Sequence, residues 1–128
     1  MSVAIVGSGL AGFTAYQVLR RGGLAPGEIS VFGTDDDPAA VWLRHAAAIR
    51  QREMRSESDG HCRPTTFPGL AFSSVLRRRS VRPLVDTVRD RYHPTVEEFL
   101  AHVARRRERS GWDRSIRAAR VGRIAAVE

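Results

Sequence analysis

Val3-Ala4-Ile5-Val6-Gly7-Ser8-Gly9-Leu10-Ala11-Gly12 opens the chain almost at its first residue. Four apolar residues, three of them β-branched, stop abruptly at a glycine, which is the pattern of a short strand buried on both faces. The glycines at 7, 9 and 12 spell GxGxxG, and helix-compatible residues run from Phe13 through Arg21, with Phe13, Val18 and Leu19 apolar. Strand, tight turn and helix therefore follow one another in the order that gives this motif its meaning. Gly7 permits the sharp turn, Gly9 lets backbone approach a diphosphate, and Gly12 lets the helix pack close to the strand. The first N–H groups of the helix have no intrahelical partners, and its aligned peptide dipoles leave about +0.5 charge there. An anionic diphosphate satisfies both, so Gly7, Ser8, Gly9, Leu10, Ala11 and Gly12 are the candidate diphosphate-binding residues.

Downstream, Gly22, Gly23, Pro26 and Gly27 break the helix, and Glu28-Ile29-Ser30-Val31-Phe32 reads as a second strand. A βαβ core over residues 1–33 results. In dinucleotide-binding units an acidic residue near the end of the second strand, about 20 residues past the last motif glycine, accepts hydrogen bonds from a ribose. Here that position is Gly33. Asp35, and next to it Asp36, are the nearest replacements, with ribose contact and plain solvation both open for Asp35. Asp37 before Pro38 suits a helix cap. No basic residue directly follows the second strand, so nothing there favours an adenosine 2′-phosphate.

The N-terminal stretch resembles that of the FAD/NAD(P)-binding flavoprotein oxidoreductases, the group that includes flavin monooxygenases and pyridine-nucleotide oxidoreductases. Their extended motif GxGxxGxxxGxxxxxxG is matched by Gly7, Gly9, Gly12 and Gly23, while Tyr16 replaces the fourth small residue. Ala39-Ala40-Val41-Trp42 resembles the family's GGxW, which makes Trp42 and Arg44 possible cofactor neighbours beside the plainer alternatives of core Trp and surface Arg. Gln51 through His61 resembles the MRS-type segment of some flavoprotein monooxygenases, which makes Arg55 and Ser56 candidates for the flavin side of the cleft, while Ser56, Ser58, Asp59 and Gly60 equally suit an ordinary loop. The resemblance implies FAD as cofactor and NAD(P)H as hydride donor of the full-length family. It implies an FAD-dependent oxidoreductase or monooxygenase, of which this chain alone carries no complete active site. No catalytic acid, base or nucleophile stands out, so the sequence leaves enzyme status open.

Beyond this core, Pro38 to Arg52 reads as helical. Thr95 and Glu98 form a capping-box signature before Val96, Phe99, Leu100, Val103 and Ala104 at helical spacing, with Gly111 as terminator. Arg120 to Glu128, with Val121, Ile124 and Val127, is expected to be a strand. The expected architecture is a single α/β domain over residues 1–128. It is a partial, truncated Rossmann-type FAD/NAD(P)-binding βαβ unit with a helical and loop insertion over 34–128. A sheet with an uncovered parallel edge invites another chain to cover it.

The 128 residues suffice for one domain, which excludes a large multidomain enzyme. All 21 basic residues are Arg, and a net charge of +7 draws polyanions non-specifically. A phosphate-tracking surface has no physical reason to exclude Lys completely, and no aromatics interleave the run Arg77-Arg78-Arg79, so a nucleic-acid interface is the weaker alternative. The lone Cys62 precludes an internal disulfide or multi-cysteine zinc site, and His61 beside it lacks further ligands at metal spacing. A cytoplasmic protein without a membrane span is the expectation. A non-catalytic dinucleotide-binding remnant, or a partner-dependent subunit, is the alternative to the flavoprotein assignment.

Overall fold

The computed structural model describes residues 2–54, 70–89 and 91–125. The short apolar run at the start forms strand β1 (Val3–Val6), and the glycine turn leads into helix α1 (Leu10–Arg21). Gly22 closes the helix, with Gly23 at φ +98° beyond it, and a 3-10 turn over Pro26–Glu28 feeds strand β2 (Ile29–Gly33). Helix α2 (Ala40–Ala48) follows, then α3 (Leu70–Arg78), α4 (Arg82–Val88), α5 (Val96–Ser110) and α6 (Trp112–Ser115). Strand β3 (Ile116–Ala118) completes the described elements.

The architecture is α/β, with a three-stranded parallel sheet in the order β1-β2-β3. Parallel strands require crossovers, and α1 supplies the first. The register pairs Ile5 with Val31 and Val6 with Phe32 on one side of β2, and Val31 with Ile116 on the other. Alternation puts Val3, Ile5, Ile29 and Val31 on one face and Ala4, Val6, Ser30 and Phe32 on the other. Ile29 and Val31 are buried, whereas Val6 is 54% exposed, so the central strand is covered as the edge strand is not. β1 is an open edge among the described residues.

The third strand lies earlier than the sequence suggests. Residues 120–125 are not in a strand, and Glu128 lies outside the described residues. Instead Ile116–Ala118 pair with β2, because α6 ends at Ser115 and delivers them there: the Ser115 hydroxyl donates to the Pro26 carbonyl at 2.8 Å, next to the start of β2. The chain divides into two compact units, one of residues 1–42 and 107–128, the other of residues 43–106. The return of β3 to the sheet therefore joins the C-terminal residues to the βαβ core, and the boundaries fall inside α2 and α5 rather than at residue 33.

The core of the first unit is aromatic. Trp112, fully buried, meets Phe13 and Tyr16 edge-on at ring-centroid distances of 5.0 and 5.1 Å. Tyr16, also fully buried, donates its hydroxyl to the Ser110 carbonyl at 3.0 Å. The large side chain at the fourth motif position is thus a core residue: α1 turns it onto Trp112 rather than against the sheet backbone.

In the second unit, Met54 N–H donates to the Pro94 carbonyl at 2.8 Å and Val96 N–H to the Arg52 carbonyl at 3.0 Å, flanking an antiparallel bridge between Glu53 and Thr95. The capping box at the start of α5 is formed, with Thr95 N–H on Glu98 and Glu98 N–H on the Thr95 hydroxyl, both at 3.1 Å. The buried Glu98 carboxylate also pairs with Arg77 and Arg78 at 2.7 Å each. Two members of the basic run on α3 are thereby spent on one carboxylate, since a charge taken out of water needs partners.

Candidate functional site

The glycine turn and the ends of β2 and β3 enclose a cleft of about 470 Å³, lined by residues 6–9, 32–35, 41 and 119–121. Parallel strands put their C-terminal ends on one side of the sheet, which is where a crevice between a strand end and the following helix can hold a ligand.

On the glycine side, Gly7 N–H donates to the Phe32 carbonyl at 2.8 Å, continuing the β1-β2 ladder by one residue. Its φ of +108° then turns the chain away, a conformation that L side chains rarely adopt. Gly9 caps α1 with extended backbone, no side-chain cap and no acidic residue in the first turn. The first intrahelical bond is Phe13 N–H to the Gly9 carbonyl at 2.9 Å, so the positive end of the helix is not compensated by side chains.

The three motif glycines differ in their surroundings. A Cβ at Gly12 would lie 1.9 Å from the Gly7 carbonyl oxygen, so the helix sits directly against the turn. Gly7 and Gly9 have nothing within 4 Å of an added Cβ and face open space. Ser8 lies between them and lines the cleft, only 6% exposed, and among the described residues its hydroxyl has no hydrogen-bond partner. The Ser8 hydroxyl therefore reaches the solvent of the cleft and is open to water or a ligand there.

Opposite, β2 ends at Gly33, where a side chain would be crowded. A Cβ on Gly33 would stand 2.1 Å from the Ser8 hydroxyl oxygen and 2.4 Å from the Ser8 Cβ. The Ser8 side chain occupies the space that a strand-end carboxylate would start from. Half-buried Asp35 lines the cleft two residues later.

Asp36 and Asp37 do not line the cleft. The Asp36 carbonyl accepts the Trp112 indole N–H at 2.9 Å, and its carboxylate meets Arg107 at 3.3 Å. Asp37 accepts the Ala39 N–H at 2.9 Å and holds the turn over Pro38 and Ala39; α2 itself begins only at Ala40, so Pro38 is not its first residue as the sequence suggests. Arg107 also binds Asp113 at 2.7 Å. A hydrogen bond from its own backbone N–H, followed by the contact with Arg107, holds the Asp36 carboxyl below its ordinary range. Burial works to lower the Arg107 pKa, but its two carboxylate partners prevail and raise it.

Of the expected site residues, the cleft brings together Gly7, Ser8, Gly9 and Asp35. Leu10, Ala11 and Gly12 form the first helical turn behind them and do not line it. Trp42 does not line it either; Val41, one position earlier on α2, does. Arg55, Ser56, His61 and Cys62 lie outside the described residues. The sequence reading missed the contributions of Phe32, Arg120 and Val121. For Arg120 no local signal existed, since only the register of β3 carries it to a glycine turn more than a hundred residues away.

A larger cleft, about 770 Å³, lies in the second unit, lined by residues 49–54 and His93. Among the described residues it is lined by neither a glycine turn nor a helix N-terminus, and the Arg52 carbonyl and Met54 N–H beside it are spent on the bridge to residues 94–96. Size alone does not make it the better candidate. Among the described residues no group of three or more His, Cys, Asp or Glu side chains is placed to hold a metal ion. No described helix is long and apolar enough to cross a membrane. Comparison with family models, curated proteins and solved structures finds no match to this chain.

Proposed function

We propose that the cleft binds the ADP half of a dinucleotide, FAD first among them, and that the chain is the N-terminal FAD-binding portion of a Rossmann-type, FAD/NAD(P)-dependent oxidoreductase. The strand order supports this reading, since a parallel sheet in the order β1-β2-β3 is compatible with one half of a doubly wound dinucleotide fold. The observation that carries it is the open backbone at Gly9 beside the unpartnered Ser8 hydroxyl, at a helix N-terminus that no acidic side chain compensates.

In this role the amides at the start of α1 face the diphosphate, and Ser8 donates its hydroxyl to a phosphate oxygen. Gly9 leaves the room in which that oxygen sits. Asp35 is the acceptor for the ribose hydroxyls, two residues later than usual because Ser8 excludes a side chain at 33. A bound flavin supplies hydride and electron transfer, with NAD(P)H the donor that the sequence resemblance implies. The residues of this chain bind and orient; none is placed as a catalytic acid or base.

A partner-dependent or non-catalytic binding subunit is the second reading, and the uncovered edge at β1, with Val6 54% exposed, favours it. Such an edge is a template for another strand.

Titration of ADP and FAD against the wild-type chain and Gly9→Ala tests the assignment. The variant keeps its fold, because nothing within 4 Å obstructs the new methyl group. It is expected to lose ~10-fold or more in affinity, the cost of displacing one or two charge-assisted hydrogen bonds. Equal affinities would remove the diphosphate from the glycine turn.

A further inference from the structure

Five of the large apolar side chains that stand exposed among the described residues fall within residues 72–88: Phe72 and Leu76 on α3, and Val81, Val85 and Val88 at the start of α4 and along it. Single exposed apolar residues are ordinary, but these are four residues apart on α3 and four and three apart on α4, so each helix lines them up on one face. That face points away from the protein. α3 turns Leu70, Ala71 and Ser74 inward, where the Ser74 and Tyr92 hydroxyls meet at 2.7 Å. At about 100° per residue, Phe72 and Leu76 lie on the far side. α4 buries Pro83, and Val81, Val85 and Val88 lie opposite it. Leu76 and Val88 are 81% and 89% exposed, so they protrude rather than fill a groove. An ordinary surface helix carries charged and polar side chains on that side.

Charge chooses the occupant. Residues 70–91 carry six arginines and two aspartates. Glu98 holds Arg77 and Arg78, whereas Arg79, Arg82 and Arg89 are exposed at the ends of the two helices, with Arg82 reaching Asp86 at 3.5 Å. Two copies of this face set against each other would oppose like charges, so a second copy is a poor cover for it. An anionic surface pairs with the arginines, and a fluid one conforms to protruding side chains. We infer that α3 and α4 form a docking face for an anionic phospholipid surface, with Phe72, Leu76 and Val88 entering the boundary between headgroups and acyl chains, and Arg79 and Arg89 on the lipid phosphates. The arginine stems lie along the apolar layer while their guanidinium groups reach outward to the phosphates. The two helices lie on the surface and do not cross it, as their length requires. This inference uses no residue of the nucleotide cleft and stands apart from the dinucleotide reading.

Sedimentation of the full chain with phosphatidylcholine vesicles, with and without phosphatidylglycerol and at low and high salt, tests it. The chain is expected to bind the vesicles that contain phosphatidylglycerol and not the neutral ones, and less tightly at high salt. Leu76→Ser combined with Val88→Ser is expected to weaken that binding ~10-fold or more. Both side chains are exposed, so the double variant is expected to keep its circular dichroism spectrum. Ile124→Ser, which removes an exposed apolar side chain of the first unit, is expected to leave binding unchanged. Arg79→Asn and Arg89→Gln are expected to cost roughly 5-fold each. Equal binding by the wild type and the double variant overturns the proposal, because the net charge of +7 would then account for it. So does a vesicle-free chain that forms dimers in sedimentation velocity and loses them in the double variant, which would give the face to a second copy. Binding to neither kind of vesicle overturns the lipid assignment and leaves the face to an acidic helix of another protein.

Discussion

The glycines on the sheet side of the cleft and those on its open side are the same residue used for opposite reasons. Gly12 and Gly33 are crowded: an added Cβ would meet the Gly7 carbonyl oxygen at 1.9 Å and the Ser8 hydroxyl oxygen at 2.1 Å. Gly7 and Gly9 meet nothing within 4 Å. Crowding at a glycine means that the protein has already filled the space, so a side chain there damages the fold. At Gly7 the positive φ of +108° still disfavours a side chain, whereas at Gly9, in extended backbone with open space, a side chain is expected to damage only the proposed binding. Substitutions at Gly12 and Gly9 are therefore expected to separate folding from ligand recognition.

The largest effect is expected at Gly12. The obstructing atom is backbone, which cannot rotate aside, so Gly12→Ala must push α1 off the turn. A loss of about 3 kcal/mol, the upper part of the range for overpacking, is expected in urea or thermal unfolding. Gly9→Ala is the counterpart and is expected to leave the unfolding midpoint nearly unchanged. If both variants unfold alike, the two sides of the turn do not differ as described.

Gly33→Glu sharpens the comparison because it restores the acidic residue usual at a strand end. In an open site the new carboxylate would improve binding. Here Ser8 stands in its way, and a destabilisation of ~1–3 kcal/mol is expected, with no gain in ADP affinity. Gly33→Glu combined with Ser8→Gly removes the two closest atoms and is expected to recover part of that loss. The Ser8 backbone nitrogen, 2.8 Å from the added Cβ, still limits the recovery. Additive effects of the two substitutions in unfolding experiments would show that Ser8 and Gly33 are not coupled.

The same contrast explains what the sequence makes legible. β1, α1 and β2 can be read because their signals are local: an apolar run, glycine punctuation, a second apolar run. The Thr95–Glu98 capping box is legible for the same reason, with both partners within one helical turn. β3 is not, since three residues between a four-residue helix and an irregular segment are too few for any periodicity to show. The apolar stretch after Arg120 is the stronger pattern, and it misleads. Trp112 as the centre of the core, Tyr16 turned onto it, and Arg120 in the cleft are products of long-range register. Gly33 is legible as a departure but its crowding is not, because the collision with Ser8 exists only once β1 and β2 are paired.

The smallest effect concerns the tether that positions Asp35. Asp36, its neighbour, is largely exposed and holds Arg107 at 3.3 Å, while its carbonyl takes the Trp112 indole. Its carboxyl is depressed below the ordinary value of 3.8, first by its own backbone N–H and then by Arg107. A depressed folded-state pKa contributes stability that is present above the unfolded value and lost as pH falls through the folded one. Between pH 7 and about pH 4 the tether is therefore constant, and only more acid conditions release it. Protection of the amides at 34–37, measured against their intrinsic exchange rates at each pH, is expected to fall below that point in the wild type. Asp36→Asn is expected to show faster exchange already at neutral pH and to lose this titration, while the Trp112 bond to the backbone keeps the loop from detaching. Unchanged exchange in Asp36→Asn would assign the position of Asp35 to the buried indole alone, leaving the crowded interior of the unit, and no surface charge, in control of the open side of the cleft.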